Sequence, residues 1–240
     1  MFTNRSEESN WLTIADMMTA LMVIFMFIAI NFIIQVIEYT YVQEDIYNKL
    51  ETTFAEELKN QTIELGPDGA IRFNIDKEQK LFETGKPYPT KNFKKLLSDF
   101  IPKYWAVLTS DTTYFDFIKE IRIEGHADTI PYYKPSDYIK TPEQSYLNNL
   151  ELSQQRAANV LKFIREQPIY READENEKAR MDFLFTSIGF SYARTLNENG
   201  NYVYLDSIKE TDNQKSRRVE FRIVTSNEEL AKELITQDED

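Results

Sequence analysis

Residues 11–37 read WLTIADMMTALMVIFMFIAINFIIQVI, a run in which Asp16 is the one ionisable side chain. A bilayer core of about 30 Å needs about 20 mostly apolar residues in a helix, so this run is long enough to cross it. Trp11 and Tyr39 lie at its two edges, and aromatic rings favour the headgroup region of a membrane. The run therefore predicts one transmembrane helix over residues 11–37.

A cleaved signal peptide is the alternative interpretation of an apolar run near the amino terminus. It requires a basic start, a short apolar core and a small-residue cleavage site. The preceding residues, MFTNRSEESN, hold one arginine and two glutamates, the apolar run is too long, and no A-x-A site follows it. These features favour an uncleaved span.

The charges that flank the span predict its orientation. Arg5 precedes the span, whereas Glu38, Glu44 and Asp45 follow it before Lys49, the first basic residue on that side. Cytoplasmic flanks tend to carry the lysines and arginines. We therefore expect residues 1–10 to form a cytoplasmic tail and the chain beyond residue 37 to lie outside.

Asp16 is the first candidate for a functional side chain. An acid at the centre of a membrane helix costs about 2.5–3.5 kcal/mol, and such residues usually face a protein interior or an ion path. Thr13 and Thr19 lie three residues to either side, on the same helix face. Each threonine can assist the acid or bond back to the preceding helical turn. We predict Asp16, Thr19 and Thr13 as ion-translocating residues.

A lone carboxyl group is enough to carry a proton, whereas a sodium ion needs several oxygen ligands. We therefore favour H+ over Na+ as the coupling ion and expect no other cofactor. The net charge of −12 argues against nucleic acid as a partner, since that partner calls for a basic patch. The chain has no cysteine, which suits an oxidising compartment that requires no disulfide.

A helical linker is predicted for residues 38–60, after the span. Apolar residues recur there every four positions, without glycine or proline, at Val42, Ile46, Leu50, Phe54 and Leu58. This stripe can pack on the chain's own domain or pair with a second copy, and its short length decides neither.

The remaining chain predicts an α+β domain, a small mixed sheet with helices on one face. β-forming runs occur at about 62–75, 117–124, 183–188 and 217–224, and the first is interrupted by a GPDG turn. Amphipathic helices are predicted over residues 92–108 and 149–166. A charged stretch, READENEKAR, occupies residues 171–180, and a short acidic helix and tail close the chain over 227–240.

Four short motifs occur in order within this domain: Gly125-His126-Ala127-Asp128, residues 149–160 (NLELSQQRAANV), Gly189-Phe190, and Arg217-Arg218-Val219-Glu220. Together they resemble the OmpA-like peptidoglycan-binding domain, and the resemblance covers roughly residues 61–226. Ser216 stands where the family usually has asparagine, and Ser191 where it has a second glycine. These departures affect the predicted rim of the binding pocket.

The resemblance implies which residues hold the diaminopimelate of a peptidoglycan stem peptide. Asp128 would hold its amine and Arg156 a carboxylate, with Asn149 and Leu152 on the same helix face and Arg217 close by. The alternative is that Asp128 caps a turn and Arg156 is merely its salt-bridge partner. His126 is expected to be a hydrogen-bonded scaffold residue, since no second histidine or cysteine accompanies it to form a metal site.

The segment Ala15-Asp16-Met17-Met18-Thr19-Ala20-Leu21-Met22 resembles the A-D-x-M-T-A-x-M signature of MotB-type stator subunits. Joined to an OmpA-like domain, it most resembles the ZorB-type subunits of Zorya anti-phage defence systems. That resemblance implies a bacterial inner-membrane protein with a periplasmic domain. It also implies a homodimer, held by five copies of a MotA/ZorA-like membrane subunit, in a proton-driven rotary motor anchored to peptidoglycan.

Two further functions remain open at this stage. A flagellar MotB-like stator subunit would use the same mechanics, but the short, non-basic tail and short linker favour the defence type. A passive tether between membrane and peptidoglycan would have no use for Asp16. An enzyme is not expected, because the sequence contains neither a recognisable metal cluster nor an activated nucleophile.

Overall fold

The computed structural model describes residues 4–66, 69–73 and 80–225. The chain forms two compact units, Met1–Glu44 and Asp45–Asp240. The predicted acidic helix and tail over 227–240 lie outside the described residues, as do two residues of the GPDG turn.

A single long helix dominates the amino-terminal part of the chain. Helix α1 covers Asn4–Thr53, and the short helix α2 (Ala55–Lys59) follows it. Within the described residues, one helical segment, Thr13–Thr53, is long and apolar enough to cross a membrane by length and composition. The predicted helical linker is therefore the continuation of α1 and then α2.

The apolar stripe of this helix packs on its own domain where the helix enters the second unit. Ile46, Leu50 and Phe54 are buried there, and the Phe54 ring stacks on Phe100 with 5.0 Å between ring centroids. For these three residues, the stripe therefore packs on the chain's own domain, which was the first of its two interpretations.

The second unit contains a five-stranded mixed sheet in the order β1-β2-β5-β3-β4. Strands β3 and β4 are parallel, and the other neighbouring pairs are antiparallel. The strand bounds are Ile63–Leu65 (β1), Ile71–Phe73 (β2), Ile118–Gly125 (β3), Phe185–Gly189 (β4) and Val219–Thr225 (β5). The predicted α+β class is confirmed, and the first predicted run is a pair of three-residue strands around the GPDG turn.

The two longest helices that lie wholly within this unit begin at recognisable capping residues. Helix α3 (Lys91–Leu108) starts after Thr90, whose hydroxyl accepts a hydrogen bond from the Phe93 amide. Helix α5 (Pro142–Glu166) starts after Thr141, with proline in its first turn, and is longer at its amino terminus than the predicted 149–166. Thr141 and Pro142 are the start signal that the prediction missed, since proline suits the first helical position.

The charged stretch 171–180 contains a helix that the sequence prediction left out. Helix α7 covers Glu175–Leu184, and the Asp174 side chain accepts a hydrogen bond from the Glu177 amide at its start. Because Phe183 and Leu184 end this helix, β4 starts only at Phe185. Three short helices complete the unit: α4 (Tyr114–Phe117), α6 (Pro168–Arg171) and α8 (Asn213–Ser216).

One face of the sheet is aromatic and packs against α3. The Phe100 ring lies 4.9 Å from that of Phe73 and 5.1 Å from that of Phe221, and all three are buried. Because side chains alternate across a strand, the residues between them point to the opposite face.

That opposite face carries buried charges. Glu124 on β3 and Glu220 on β5 have no exposed surface, and they are cross-strand neighbours. Arg72 donates from Nε to Glu220 Oε1 at 3.0 Å, and Arg222 Nε lies 3.2 Å from Glu124 Oε1. We call the set Arg72, Glu124, Arg218, Glu220 and Arg222 the ionic layer.

A polar loop covers this ionic layer. Arg72 donates to the Gly200 carbonyl oxygen at 3.3 Å, and Arg222 donates to the Tyr202 hydroxyl at 2.9 Å. The loop is folded by Asn197, whose side-chain oxygen accepts from the amides of Asn199 and Asn201 at 3.0 Å each. The NENGN segment, residues 197–201, therefore belongs to the loop that shields the ionic layer from solvent.

Helix α5 meets the sheet at two glycines. A Cβ on Gly125 would lie 2.2 Å from the Ser153 carbonyl oxygen, and one on Gly189 would lie 2.3 Å from the Gln154 amide nitrogen. Both distances are far below van der Waals contact, so helix and strand backbones pack directly. This contact fixes the position of α5, which carries Arg156.

Candidate functional site

The predicted binding residues of the domain converge at the ends of β3 and α8. Asp128 follows β3, and Arg217 stands between α8 and β5. Arg217 Nη1 donates to Asp128 Oδ2 at 2.5 Å, and the Ile130 amide donates to Asp128 Oδ1 at 3.1 Å. Asp128 therefore caps a turn, as the alternative interpretation expected, but its ion-pair partner is Arg217 and not Arg156.

Two neighbouring residues hold the Arg156 side chain in position. Its Nε donates to the Lys86 carbonyl oxygen at 3.1 Å, and its guanidinium lies over the Phe82 ring, 4.9 Å from the centroid. Within residues 4–66, 69–73 and 80–225, its two terminal nitrogens have no hydrogen-bond partner. A planar group with two unused parallel donors is suited to bind a carboxylate in bidentate fashion.

The charge of Arg156 is sensitive to its surroundings. Burial lowers the pKa of Arg156 to about 10, opposed by the electrostatic effects of Asp128 and Tyr132 and reinforced by that of Arg217. The guanidinium still carries its charge at neutral pH. An incoming anion would therefore meet a cation that is partly desolvated and incompletely paired.

A tight turn over residues 82–89 provides the neighbours of Arg156. Phe82 and Pro89 pair as an isolated antiparallel bridge, and Gly85 has a φ of +67°. Asn159, one helical turn after Arg156, donates to the Pro87 carbonyl oxygen at 3.0 Å. Neither Phe82 nor Asn159 was predicted from the sequence as a site residue, although the TGKP string at 84–87 marks a turn.

Asn149 and Leu152 lie on α5 as predicted, but both are buried. Asn149 donates to the Ser145 carbonyl oxygen at 3.2 Å, a bond within its own helix. The structure thus brings Asp128, Arg156 and Arg217 within electrostatic range of one another. The ligand contacts of Asn149 and Leu152 stay predictions.

Near the other end of the chain, Asp16 is exposed on the surface of α1, within the apolar run. Thr19 donates to the Ala15 carbonyl oxygen at 2.8 Å, the back-bonded arrangement that was its alternative role. The hydroxyl oxygen can still accept a hydrogen bond in this arrangement. Thr13 is exposed one turn before Asp16.

Glu124, His126 and Glu220 stand close enough together to suggest a metal site, with possible ligand atoms within 4.8 Å of one another. The charge balance argues against a cation there. Arg72, Arg218 and Arg222 already contact the two carboxylates. A metal ion would have to displace or face these guanidinium groups, so we assign the three residues to the ionic layer and its border.

His126 lies at the border of the ionic layer as a neutral imidazole. Burial, and secondarily the charge of Arg218, lowers the pKa of His126 to about 4. Its ring stacks on Phe190 at 5.3 Å between centroids, and its Nε2 lies 3.3 Å from Glu124 Oε2. The burial and stacking agree with the scaffold role predicted from the sequence, but neither ring nitrogen makes the hydrogen bond that the prediction expected.

Comparison with known proteins gives one match that covers nearly the whole chain. The chain is 29% identical to the Zorya protein ZorB of Escherichia coli over 96% of its own length and 94% of that protein. The resemblance inferred from the motifs is confirmed by this match. No family model matches the chain.

Solved structures provide weaker similarities. A MotB-like protein from Desulfovibrio vulgaris is 18% identical with a TM-score of 0.49, covering 79% of this chain and 95% of that one. The type VI secretion cell-wall anchor of Pseudomonas aeruginosa is 17% identical with a TM-score of 0.45, covering 74% and 97%. The periplasmic domain of Helicobacter pylori MotB is 15% identical with a TM-score of 0.39, covering 74% and 98%.

Proposed function

We propose that this chain is the wall-anchored, membrane-embedded subunit of a proton-driven rotary motor that acts in anti-phage defence. The observation that carries the proposal is Asp16, the one ionisable residue between Trp11 and Ile37 in a continuous helix. The similarity to ZorB over nearly the full length of both chains supports the defence assignment.

At the membrane, Asp16 would alternate between a protonated and a charged form. Burying the neutral carboxyl in hydrocarbon costs much less free energy than burying the carboxylate, which needs a polar or cationic partner. Each proton taken up or released therefore changes how the Asp16 face fits a neighbouring helix. The small Ala20 lies one turn away and allows that helix to approach closely.

The neighbour in this proposal is a MotA/ZorA-like membrane subunit, in a five-to-two assembly with a homodimer of this chain. The tail would lie in the cytoplasm of a bacterial cell, and the α+β unit in the periplasm. Proton flow would turn the ring of partner subunits around the pair, which the cell wall prevents from rotating with it. The chain itself performs no covalent chemistry in this proposal.

At the wall, the terminal donors of Arg156 would bind a carboxylate of the diaminopimelate in a peptidoglycan stem peptide. Asp128 would bind the amine of the same residue, sharing its carboxylate with Arg217, which contacts it in the free protein. Buried Leu152 and Asn149 would form the wall and floor of the pocket.

The test of the motor function is a phage-challenge assay on cells that carry the complete system. Asp16→Asn keeps the size and hydrogen-bonding capacity of the side chain but cannot titrate, so we expect protection to be lost. Glu44→Gln, which removes a charge from an exposed position further along the same helix, is the matched control and should protect like the parent.

Full protection by Asp16→Asn would contradict the motor proposal and leave a passive tether as the function. The flagellar alternative is tested in parallel, by expressing the chain in a motile strain that lacks its own stator subunit. Restored swimming there, without phage protection, would assign the chain to motility.

A further inference from the structure

Two amides lie in the second half of the apolar helix, where the proposed transport mechanism does not use them. Asn31 and Gln35 are exposed on α1 and stand one helical turn apart. Asn31 donates to the Phe27 carbonyl oxygen at 2.9 Å, which uses one of its two amide hydrogens and leaves the side-chain oxygen outside that bond. In hydrocarbon, such a group gains by finding a partner on another helix.

The two amides belong to a regular strip on the helix surface. Leu21, Ile24, Ile28, Asn31 and Gln35 follow one another at alternating steps of three and four residues. That spacing is the seven-residue repeat of helices that pack side by side. Helix α1 is continuous from Asn4 to Thr53, so no break interrupts the strip, which we call the amide seam.

The amide seam and the acid occupy different sides of the helix. At 3.6 residues per turn, the seam residues from Ile24 to Gln35 lie roughly 60–120° around the helix from Asp16. One helix can therefore present the seam to one neighbour and Asp16 to another at the same time. The acid does not compete with the amides for a partner.

We infer that the amide seam binds the same seam of a second copy of this chain, with Asn31 paired to Asn31 near its centre. Two copies of a single-pass protein insert with the same orientation, so identical residues meet at the same depth. An amide is both donor and acceptor, and two identical amides can therefore satisfy each other across a symmetric contact. A carboxylic acid in its charged form could not pair with its own copy in this way.

This inference rests on the parallel, membrane-inserted homodimer of the proposed function, and it names the surface that forms it. The chain contains no cysteine, so single cysteines in the full-length protein report on one contact at a time. Disulfides require Cα atoms within about 7 Å, which restricts crosslinking to helices in contact.

The test compares Ile28→Cys on the seam with Ile33→Cys, which lies roughly 140–160° around the helix from Ile28 and Asn31 and about 7.5 Å further along it than Ile28. Both full-length variants are expressed in bacterial membranes and oxidised mildly. We expect Ile28→Cys to form at least about tenfold more homodimer than Ile33→Cys, given that distance limit.

The role of the amide is tested in the Ile28→Cys background. Asn31→Leu should lower the homodimer yield roughly 3- to 20-fold, the range expected for interhelical hydrogen bonds in membranes. Asn31→Gln keeps the amide and should retain most of the yield, and Ile30→Leu, off the seam, should leave it unchanged.

Equal crosslinking at residues 28 and 33, or a yield insensitive to Asn31→Leu, would overturn the inference. Crosslinking of Ile28→Cys to a different membrane protein in place of the homodimer would also overturn it. These outcomes are separate from those of the motor test, because Asp16→Asn leaves the amide seam intact.

Discussion

The Nε of Arg156 donates to the main-chain oxygen of Lys86, so the residue expected to bind ligand is fixed by a backbone atom from another part of the chain. The bond uses the inner edge of the guanidinium and leaves the outer edge to a ligand. The Phe82 ring packs against the face of the guanidinium, and Asn159 holds the turn over residues 82–89 through its bond to the Pro87 carbonyl oxygen.

Arg156→Ala should reduce binding of the full-length chain to purified sacculi. Losing charge-assisted hydrogen bonds costs about 1.5–3 kcal/mol, or roughly 10- to 150-fold in affinity. Co-sedimentation in mild detergent measures the change. Arg165→Ala removes the same charge from the same helix, where Arg165 pairs with Asp182, and should bind like the parent. Equal pelleting of both variants would refute the pocket assignment.

Phe82→Leu should weaken sacculus binding even though Arg156 is intact. The leucine keeps apolar contact with Phe93 but removes the ring face beneath the guanidinium, an interaction of about 0.5–2 kcal/mol. We expect a loss of roughly 2- to 30-fold with little change in melting temperature. Phe183→Leu, on an exposed aromatic residue of α7, is the control. A melting temperature that falls together with binding would show general destabilisation and not loss of positioning.

Acid should destabilise the domain through His126. Its pKa in the folded protein is about 4, below the ordinary 6.5, so between these values the unfolded chain binds the proton more readily. Stability is therefore complete above pH 6.5 and falls as the pH drops towards 4, by about 3 kcal/mol in all. Denaturant unfolding of the detergent-solubilised chain at pH 7, 6 and 5 measures this slope.

Because His126 is the one histidine in the chain, the slope between pH 6.5 and 5 has a clear origin. His126→Phe preserves stacking on Phe190 but cannot titrate, so its stability should change little over that interval. A variant as acid-sensitive as the parent would show that the effect comes from other groups.

Gly125→Ala should destabilise the α+β unit. The added methyl would lie 2.2 Å from the Ser153 carbonyl oxygen, which is backbone and cannot turn aside. Overpacking of this kind costs about 1–3 kcal/mol or more. Gly69→Ala is a suitable contrast, since a Cβ there meets nothing within 4 Å and the cost is limited to its φ of +71°. Thermal unfolding followed by circular dichroism compares the two variants.

The sequence was sufficient for the parts of this protein that depend on local pattern. The apolar run and the four-residue stripe predicted α1, and β-forming runs predicted β3 and β5. The sequence was insufficient where a highly charged composition obscured the residue that starts a helix. Residues 171–180 were identified only as a charged stretch, but the Asp174 cap and the buried Met181 and Leu184 make most of them part of a helix.

The binding pocket shows a similar division. The ordered motifs predicted Asp128, Arg156 and Arg217, and the structure brings their charges together. The motifs did not predict that Arg217 pairs with Asp128, since pairing depends on how α8 leads into β5. They also did not predict the turn that holds Arg156, because a backbone carbonyl carries no sequence signature.

The two glycines under α5 have a mechanical consequence. At these two positions the backbone of α5 contacts the strand backbone directly, with no flexible side chain between them. A small sideways displacement of the helix therefore produces a steric clash. If the domain anchors a rotating assembly, torque applied through the wall passes from Arg156 through α5 into β3 and the edge strand β4. The binding pocket around Arg156 would then keep its geometry while the torque acts.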